Sequence, residues 1–278
     1  MSEQQLGLSA ILATHGGDSP VILARAIESL VTQSRLPDEI VIVYDAGLPE
    51  EHHSAVQSAV GDSPVTITMI EQPADDGRGA ARAKGVRAAQ MPVVAILDSD
   101  DVCLPNRFEK QLQYLETHPD VAAVGGYIEE FDSDPSDPQS VREVPTDSKS
   151  IRKKARFRCP MNHQTVAARR EAILTAGNYR DIPYGEDYDL WVRLLANGET
   201  LGNIPTVLTK AQAGESLMER RGGIAIARRE VELQMAFVQY GFISAPLAMV
   251  NLLARLPLRV LPTRLRSKIY STVLRQNV

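Results

Sequence analysis

The stretch VVAILDSDDVCLPNRFEKQLQYL, residues 93–115, passes from an apolar pentad straight into three carboxylates, Asp98, Asp100 and Asp101, and then into an amphipathic pattern. A short apolar run bounded by polar residues reads as a buried strand, and the spacing that follows reads as a helix over residues 105–117. The acids between them have two readings. Either they end the strand and cap the helix, or they hold something positive.

Toward the N-terminus the same strand-then-helix unit repeats. LSAILAT (8–14), DEIVIVYD (38–45) and PVTITMIE (64–71) read as strands; SPVILARAIESLVTQ (19–33), residues 50–60 and RGAARAKGVRAAQ (78–90) read as helices. Ser19 is expected to cap the first helix, with Pro20 in its first turn. Near-continuous apolar strands alternating with helices imply a parallel or mixed sheet covered on both faces. In such sheets ligands bind beyond the carboxyl ends of the strands. The polar residues gather there: THGGD after the first strand, DAG after the second, QPADDGRG after the third and DSDD after the fourth. Four polar turns on one rim exceed what capping alone requires.

Toward the C-terminus, VAAVGGYIEEF reads as a strand and DSDPSDPQS (132–140) as a surface loop or hairpin tip. NHQTVAARREAILTAGNY (162–179) reads as a strand and a short helix ending at Gly177, GEDYDLWVRLLANG (185–198) as a helix ending at Gly198. GESLMERRGG (214–223), basic and bracketed by glycines, is expected to be a mobile loop.

An apolar content of 44% with 23% charged residues belongs to an ordinary globular chain and excludes extended disorder. The sequence lacks a long uncharged apolar run and a secretory leader pattern, so a cytoplasmic protein with free Cys103 and Cys159 and no disulfide is expected. The net charge of −5 hides an asymmetry: no acid follows Glu232, whereas Arg255, Arg259, Arg264, Arg266, Lys268 and Arg275 do. With PLAMVNLLARLPLRVLP among them, this ending reads as a tail on an anionic membrane surface, or as a helix packed on the domain with a solvated basic face. An acidic rim without a basic and aromatic patch argues against nucleic acid as a partner.

The acids differ in what they suit. Asp98 and Asp100, at i and i+2 after a strand, can present two oxygens to a hard divalent cation. Asp101, nearest the following helix, is expected to cap it or to face its dipole. Glu186, Asp187 and Asp189 form a second cluster at a helix N-terminus; capping fits them, and Asp187 also suits a general base held by a rigid element. Asp45 ends the second strand on the same rim, as a turn residue or as an acceptor for a nucleobase or ribose. Arg78, Arg82, Arg220 and Arg221 are candidate anion contacts. His163 reads equally as a buried, hydrogen-bonded histidine and as a ligand.

Taken in order, the Thr14 turn, AIESLVTQ, PDEIVIVYDAG, GRGAARAKGVRAA, ILDSDDVCLPNRFEKQ, MNHQTVAARREAILTAGNY and YGEDYDLWVRLLANG together resemble the family 2 glycosyltransferases, over residues 6–210. The ending ERRGG and NLLARLPLRVLPTRLRSKIY is similar to bacterial members that build capsule, exopolysaccharide or O-antigen chains. The resemblance implies an α/β GT-A fold, a Rossmann-like mixed central sheet flanked by helices with a helical C-terminal extension. Residues 1–210 would be the nucleotide-sugar-binding and catalytic domain, and 211–278 a mobile basic loop and basic amphipathic helices.

The implied activity is inverting, metal-dependent transfer of a sugar from a UDP-, GDP- or dTDP-linked donor to a saccharide acceptor, lipid-linked, at the inner face of the cell membrane. Carried onto this sequence, Thr14, Asp45, Arg82, Asp98, Arg220 and Arg221 match nucleotide-binding positions, with Asp98 on the ribose or the metal's water shell. Asp100 matches the acid that binds Mg²⁺ or Mn²⁺, Asp187 the base and Glu186 its companion. The chain departs from the pattern at Tyr44, where many relatives carry an acid, and at THGGD, which replaces a commoner Tyr-Asn turn. Two other functions compete: a sugar-1-phosphate nucleotidyltransferase, which would want basic residues in the first turn, and a non-catalytic nucleotide-sugar-binding protein, which would need no base.

Overall fold

In the computed structural model, which describes residues 6–212 and 223–260, the apolar runs of the first half become β1 (Leu8–Thr14), β2 (Glu39–Asp45), β3 (Thr66–Gln72) and β4 (Val93–Asp98). Between them lie α1 (Pro20–Val31), α2 (Glu50–Val60) and α3 (Arg78–Ala88). The four strands pair in parallel in the order β3-β2-β1-β4. Alternate residues of β1 face opposite layers. Leu8, Ala10 and Leu12 join Leu23, Ile27 and Leu30 of α1, while Ile11 joins Ala81 and Val86 of α3. Ser19 precedes α1 with extended backbone, but its side chain makes no capping hydrogen bond.

The second half adds β5 (Val102–Cys103), α4 (Arg107–Thr117), β6 (Val121–Phe131), β7 (Pro138–Arg142), α5 (Ser148–Ala155), a 3₁₀ turn at His163–Thr165, β8 (Ala167–Arg169), α6 (Arg170–Thr175), α7 (Glu186–Ala196) and β9 (Thr200–Gln212). α8 (Ile224–Gln239) and α9 (Ala245–Val260) follow. The sheet continues past β4 as β8-β6-β9-β5, with β7 paired to β6. β8 is antiparallel to β4 and β6, β9 parallel to β6, and β5 antiparallel to β9, so the sheet is mixed as expected. Residues 132–137 form the tip of the β6–β7 hairpin.

Two further expectations fail. Asp101 does not start α4: the residue before that helix is Asn106, and β5 intervenes so that Val102 and Cys103 can pair with Lys210 and Thr209 of β9. Its Oδ1 instead accepts the backbone N–H of Gln212 at 2.9 Å, which stitches the β4–β5 turn to the end of β9. The C-terminal helix does not carry a solvated basic face among the described residues either. Arg255 and Arg259 of α9 turn inward onto the fully buried Glu230 of α8. Arg220, Arg221, Arg264, Arg266, Lys268, Arg275 and the expected loop from residue 214 to 222 lie outside the described residues.

Candidate active site

The strand order places β1 between β2 and β4, with crossovers leaving it in opposite directions, and this is the switch point where α/β sheets open a crevice. The register levels the strand ends: Ala13 lies opposite Asp98, Thr14 opposite Tyr44, and Asp45 opposite Gln72. The polar turns therefore meet on one rim, as the sequence implies.

Asp18 knits the first and fourth turns together. Its Oδ2 accepts hydrogen bonds from the Thr14 hydroxyl at 2.9 Å, the Ser99 hydroxyl at 2.8 Å and the His15 N–H at 3.2 Å. Asp45 Oδ1 accepts Nε2 of Gln72 at 2.8 Å, which fixes the carboxylate at the end of β2. Neither Asp18 nor Ser99 stands out in the sequence, although the turns that hold them, THGGD and DSDD, do.

Arg82 of α3 is the centre of the arrangement. Nη2 donates to Asp98 Oδ1 and Nη1 to Glu186 Oε1, both at 2.6 Å, and the arginine is buried. Burial works against its charge, but the two carboxylates overcome that and hold it fully protonated. For Asp98 burial likewise opposes ionisation, and Arg82 outweighs it, drawing the carboxyl down to about 2. Gly79 makes the approach of α3 feasible: a Cβ there would stand 2.0 Å from the Arg180 carbonyl oxygen, so only glycine lets the helix close on the segment leading to α7.

At the N-terminus of α7, Gly185 takes a left-handed φ of 76°, turning the chain so that Glu186 and Asp187 follow at the rim. Glu186 is committed to Arg82, with the exposed Arg78 also 3.7 Å from Oε1. Asp187 is half-buried, and its carboxyl is raised by burial and then by the neighbouring Glu186; the Cys159 thiol, 3.6 Å from Oδ2, acts the other way. Cys159, which the sequence marks only as a free thiol, thus touches the candidate base. Asp189 has a structural task, pairing with Arg193 Nε at 2.8 Å and accepting the Tyr240 hydroxyl at 2.8 Å. His163 is buried against the Tyr179 hydroxyl at 3.1 Å, and burial together with Arg82 lowers it to about 3, so it is neutral.

Asp98, Asp100 and Asp101 concentrate negative charge in one turn. The buried Asp101 shows the effect: burial, then Asp98 and Asp100, push its carboxyl well up, and its Oδ2 has no hydrogen-bond partner. Among the described residues no group of three or more His, Cys, Asp or Glu converges as a closed cage for a metal ion. A hard cation that draws part of its shell from donor phosphates needs few protein carboxylates, and this donor set fits that kind of ion.

The comparisons agree with the geometry. The family model "Glycosyl transferase family 2" matches residues 9–176. The chain belongs to this family. It is 33% identical over 276 residues to the Escherichia coli UDP-Gal:alpha-D-GlcNAc-diphosphoundecaprenol beta-1,3-galactosyltransferase, covering 99% of each chain. It is also 33% identical over 265 residues to the amylovoran biosynthesis glycosyltransferase AmsE of Erwinia amylovora, covering 94% of this chain and 97% of that one. Among solved structures, S. aureus TarS in complex with UDP-GlcNAc superposes with a TM-score of 0.68 at 13% identity, over 97% of this chain and 76% of that one. The mannosyltransferase PcManGT of Pyrobaculum calidifontis, in complex with GDP-Man and Mn²⁺, gives 0.62 at 16% identity, over 98% and 81%. The fold of this glycosyltransferase is therefore GT-A, and the nucleotidyltransferase and non-catalytic readings fall away.

Proposed function

We propose that this glycosyltransferase moves a sugar, with inversion, from a nucleoside diphosphate donor to a saccharide acceptor carried on a lipid at the cytoplasmic face of the membrane, in the assembly of a cell-surface polysaccharide. Residues 1–210 form the catalytic domain and 211–278 its C-terminal extension. The observation that carries the reading is the double bridge of Arg82, which draws the donor-rim acid Asp98 and the Glu186–Asp187 pair into one cluster. The names of the E. coli and Erwinia relatives, one with a UDP-Gal donor and a diphosphoundecaprenol acceptor and the other in amylovoran biosynthesis, support the choice of donor and acceptor class.

Thr14 and Asp45, on neighbouring strand ends, line the nucleoside side of the crevice, with Arg82 behind Asp98 and with Arg220 and Arg221 as anion contacts. Asp100, together with Asp98, would hold Mg²⁺ or Mn²⁺ jointly with diphosphate oxygens. A cation bound there would stabilise charge on the departing nucleoside diphosphate. Asp187 takes the proton of the acceptor hydroxyl as that oxygen bonds to the anomeric carbon. The bond from that carbon to the diphosphate oxygen breaks, and its electron pair leaves with the nucleoside diphosphate. Attack opposite the leaving group inverts the centre. Burial and the Glu186 charge make Asp187 a stronger base than a solvated aspartate. Glu186, held by Arg82, keeps that charge in place as its companion.

A thermal-shift screen of nucleoside diphosphates and their sugar conjugates, with and without Mn²⁺, tests the donor class. The preferred donor at about a hundredfold above its Kd stabilises the fold by about 2.7 kcal/mol. A flat response across all nucleoside diphosphates would contradict the proposal.

A further inference from the structure

Helix α9 turns its polar side chains toward the protein. An amphipathic helix on a globular protein normally hides its apolar stripe and shows its charged one. Here only the start of the inward side is apolar, with Ala248 in the core, and the rest carries Asn251, Arg255 and Arg259. Asn251 Nδ2 donates to Gln234 Oε1 at 2.9 Å and to the Arg156 carbonyl at 2.8 Å, and Arg259 Nη2 lies 3.1 Å from Glu230 Oε2, with Arg255 on the other oxygen of the same carboxylate. The outward side carries Ala245, Met249, Val250, Leu253, Ala254 and Pro257, all exposed. Met249, Val250 and Leu253 are 59%, 58% and 69% exposed. The helix cannot roll over to hide them, because that would strip Glu230, which is fully buried, of both its cations.

We propose that the outward face of α9 lies in the interfacial layer of an anionic lipid bilayer and seats the enzyme there. Over its described residues α9 extends about 24 Å, against roughly 30 Å of hydrocarbon. No described helix is long and apolar enough to cross. An apolar face opposite a narrow polar stripe, here Asn251, Arg255 and Arg259, suits a helix that lies in the plane of the interface. The sequence supplies charge complementarity to anionic headgroups: no acid occurs after Glu232, and Arg264, Arg266, Lys268 and Arg275 follow α9. The docking surface is thus the apolar side of α9, while Arg255 and Arg259 tie it to the protein.

The same seam reaches the site. Arg259 Nη2 also bonds the Tyr184 hydroxyl, one residue before the Gly185 turn, and Leu233 of α8 packs against Gly185. A helix seated on lipid is therefore wired to the turn that presents Asp187. This deepens, and rests on, the lipid-linked acceptor reading, since it couples the lipid-facing helix to the turn that carries the base.

The test is flotation of the full chain with vesicles of phosphatidylcholine alone or mixed with phosphatidylglycerol, comparing wild type with the triple substitution Met249→Gln, Val250→Gln, Leu253→Gln. Wild type should partition onto the anionic vesicles, and the variant should lose about tenfold in partition for each large side chain replaced. Its thermal unfolding and its donor-induced thermal shift should match wild type. A polarity-sensitive label on Leu253→Cys should shift to the blue with anionic vesicles, which keeps the test open should the triple variant misfold. Unchanged vesicle binding by a folded variant would overturn the proposal, as would a label that stays in water. A concentration-dependent dimer broken by the same substitutions, with no vesicle binding, would assign the face to a second copy instead. None of these readouts involves an acceptor, so failure of the acceptor reading would leave the vesicle result standing on its own.

Discussion

Replacing Arg82 with methionine keeps the length and apolar stem of the side chain and removes the charge from between Asp98 and Glu186. The side chains of Arg82 and Glu186 are 6% and 7% exposed, so Glu186 would be left as a buried carboxylate with only the exposed Arg78 nearby. Removing one partner of such a pair costs about 3–5 kcal/mol. At roughly 2–4 °C per kcal/mol for a domain of this size, the melting temperature should fall by about 10 °C. The loss also has a pH signature. Asp98 is held at about 2 against an ordinary 3.8, so its pairing stabilises the fold fully above that ordinary value and less as the pH falls toward 2. The advantage of wild type over Arg82→Met should therefore shrink by at least about 1 kcal/mol between pH 5 and pH 3. Adding Glu186→Leu to Arg82→Met should recover part of the stability, since the stranded charge is then gone. Denaturant melts of the three proteins across that pH range measure all of this. A single variant within about 1 kcal/mol of wild type, or a difference that does not change with pH, would refute the bridge as described.

Other perturbations follow from the same geometry. Cys159→Ala removes a thiol that favours the ionised form of Asp187, so the acid limb of the pH–rate profile should move to higher pH; an unmoved limb would separate Cys159 from the base. Asp100→Ala should abolish any difference in donor affinity with and without Mn²⁺, read by calorimetry, and a persisting difference would take the metal away from that residue. Glu230→Gln should destabilise the α8–α9 pair by about 3 kcal/mol by leaving Arg255 and Arg259 without their buried counter-charge, seen as faster limited proteolysis within residues 223–260. Equal cleavage rates would show that the seam does not hold the helices.

The first half of the fold is readable in the sequence because parallel strands covered on both faces need continuous apolar runs, and β1, β2 and β4 supply them almost without interruption. β9 is not readable. TLGNIPTVLTKAQ mixes glycine, asparagine, proline and lysine because it pairs irregularly with β6, and its register jumps from Ile204 to Val207 to pass Pro205. The misplacement of Asp101 follows from that omission, since β5 exists only to pair with β9. The acids of the rim are visible because each ends a strand or opens a helix. The Arg82 bridge is not visible, since Arg82 and Glu186 are separated by 104 positions and meet only through the close packing at Gly79. The orientation of α9 is hidden for a related reason. Its basic residues read as surface until Glu230, a buried acid on a different helix, is seen beneath them.

The central claim is that Asp187 takes the acceptor proton while the remaining rim holds the donor. Sugar transfer and donor affinity, measured side by side for Asp187→Asn, test it most directly. The account predicts a loss of transfer of about 10²–10⁴-fold with donor affinity nearly unchanged. Undiminished transfer would contradict it.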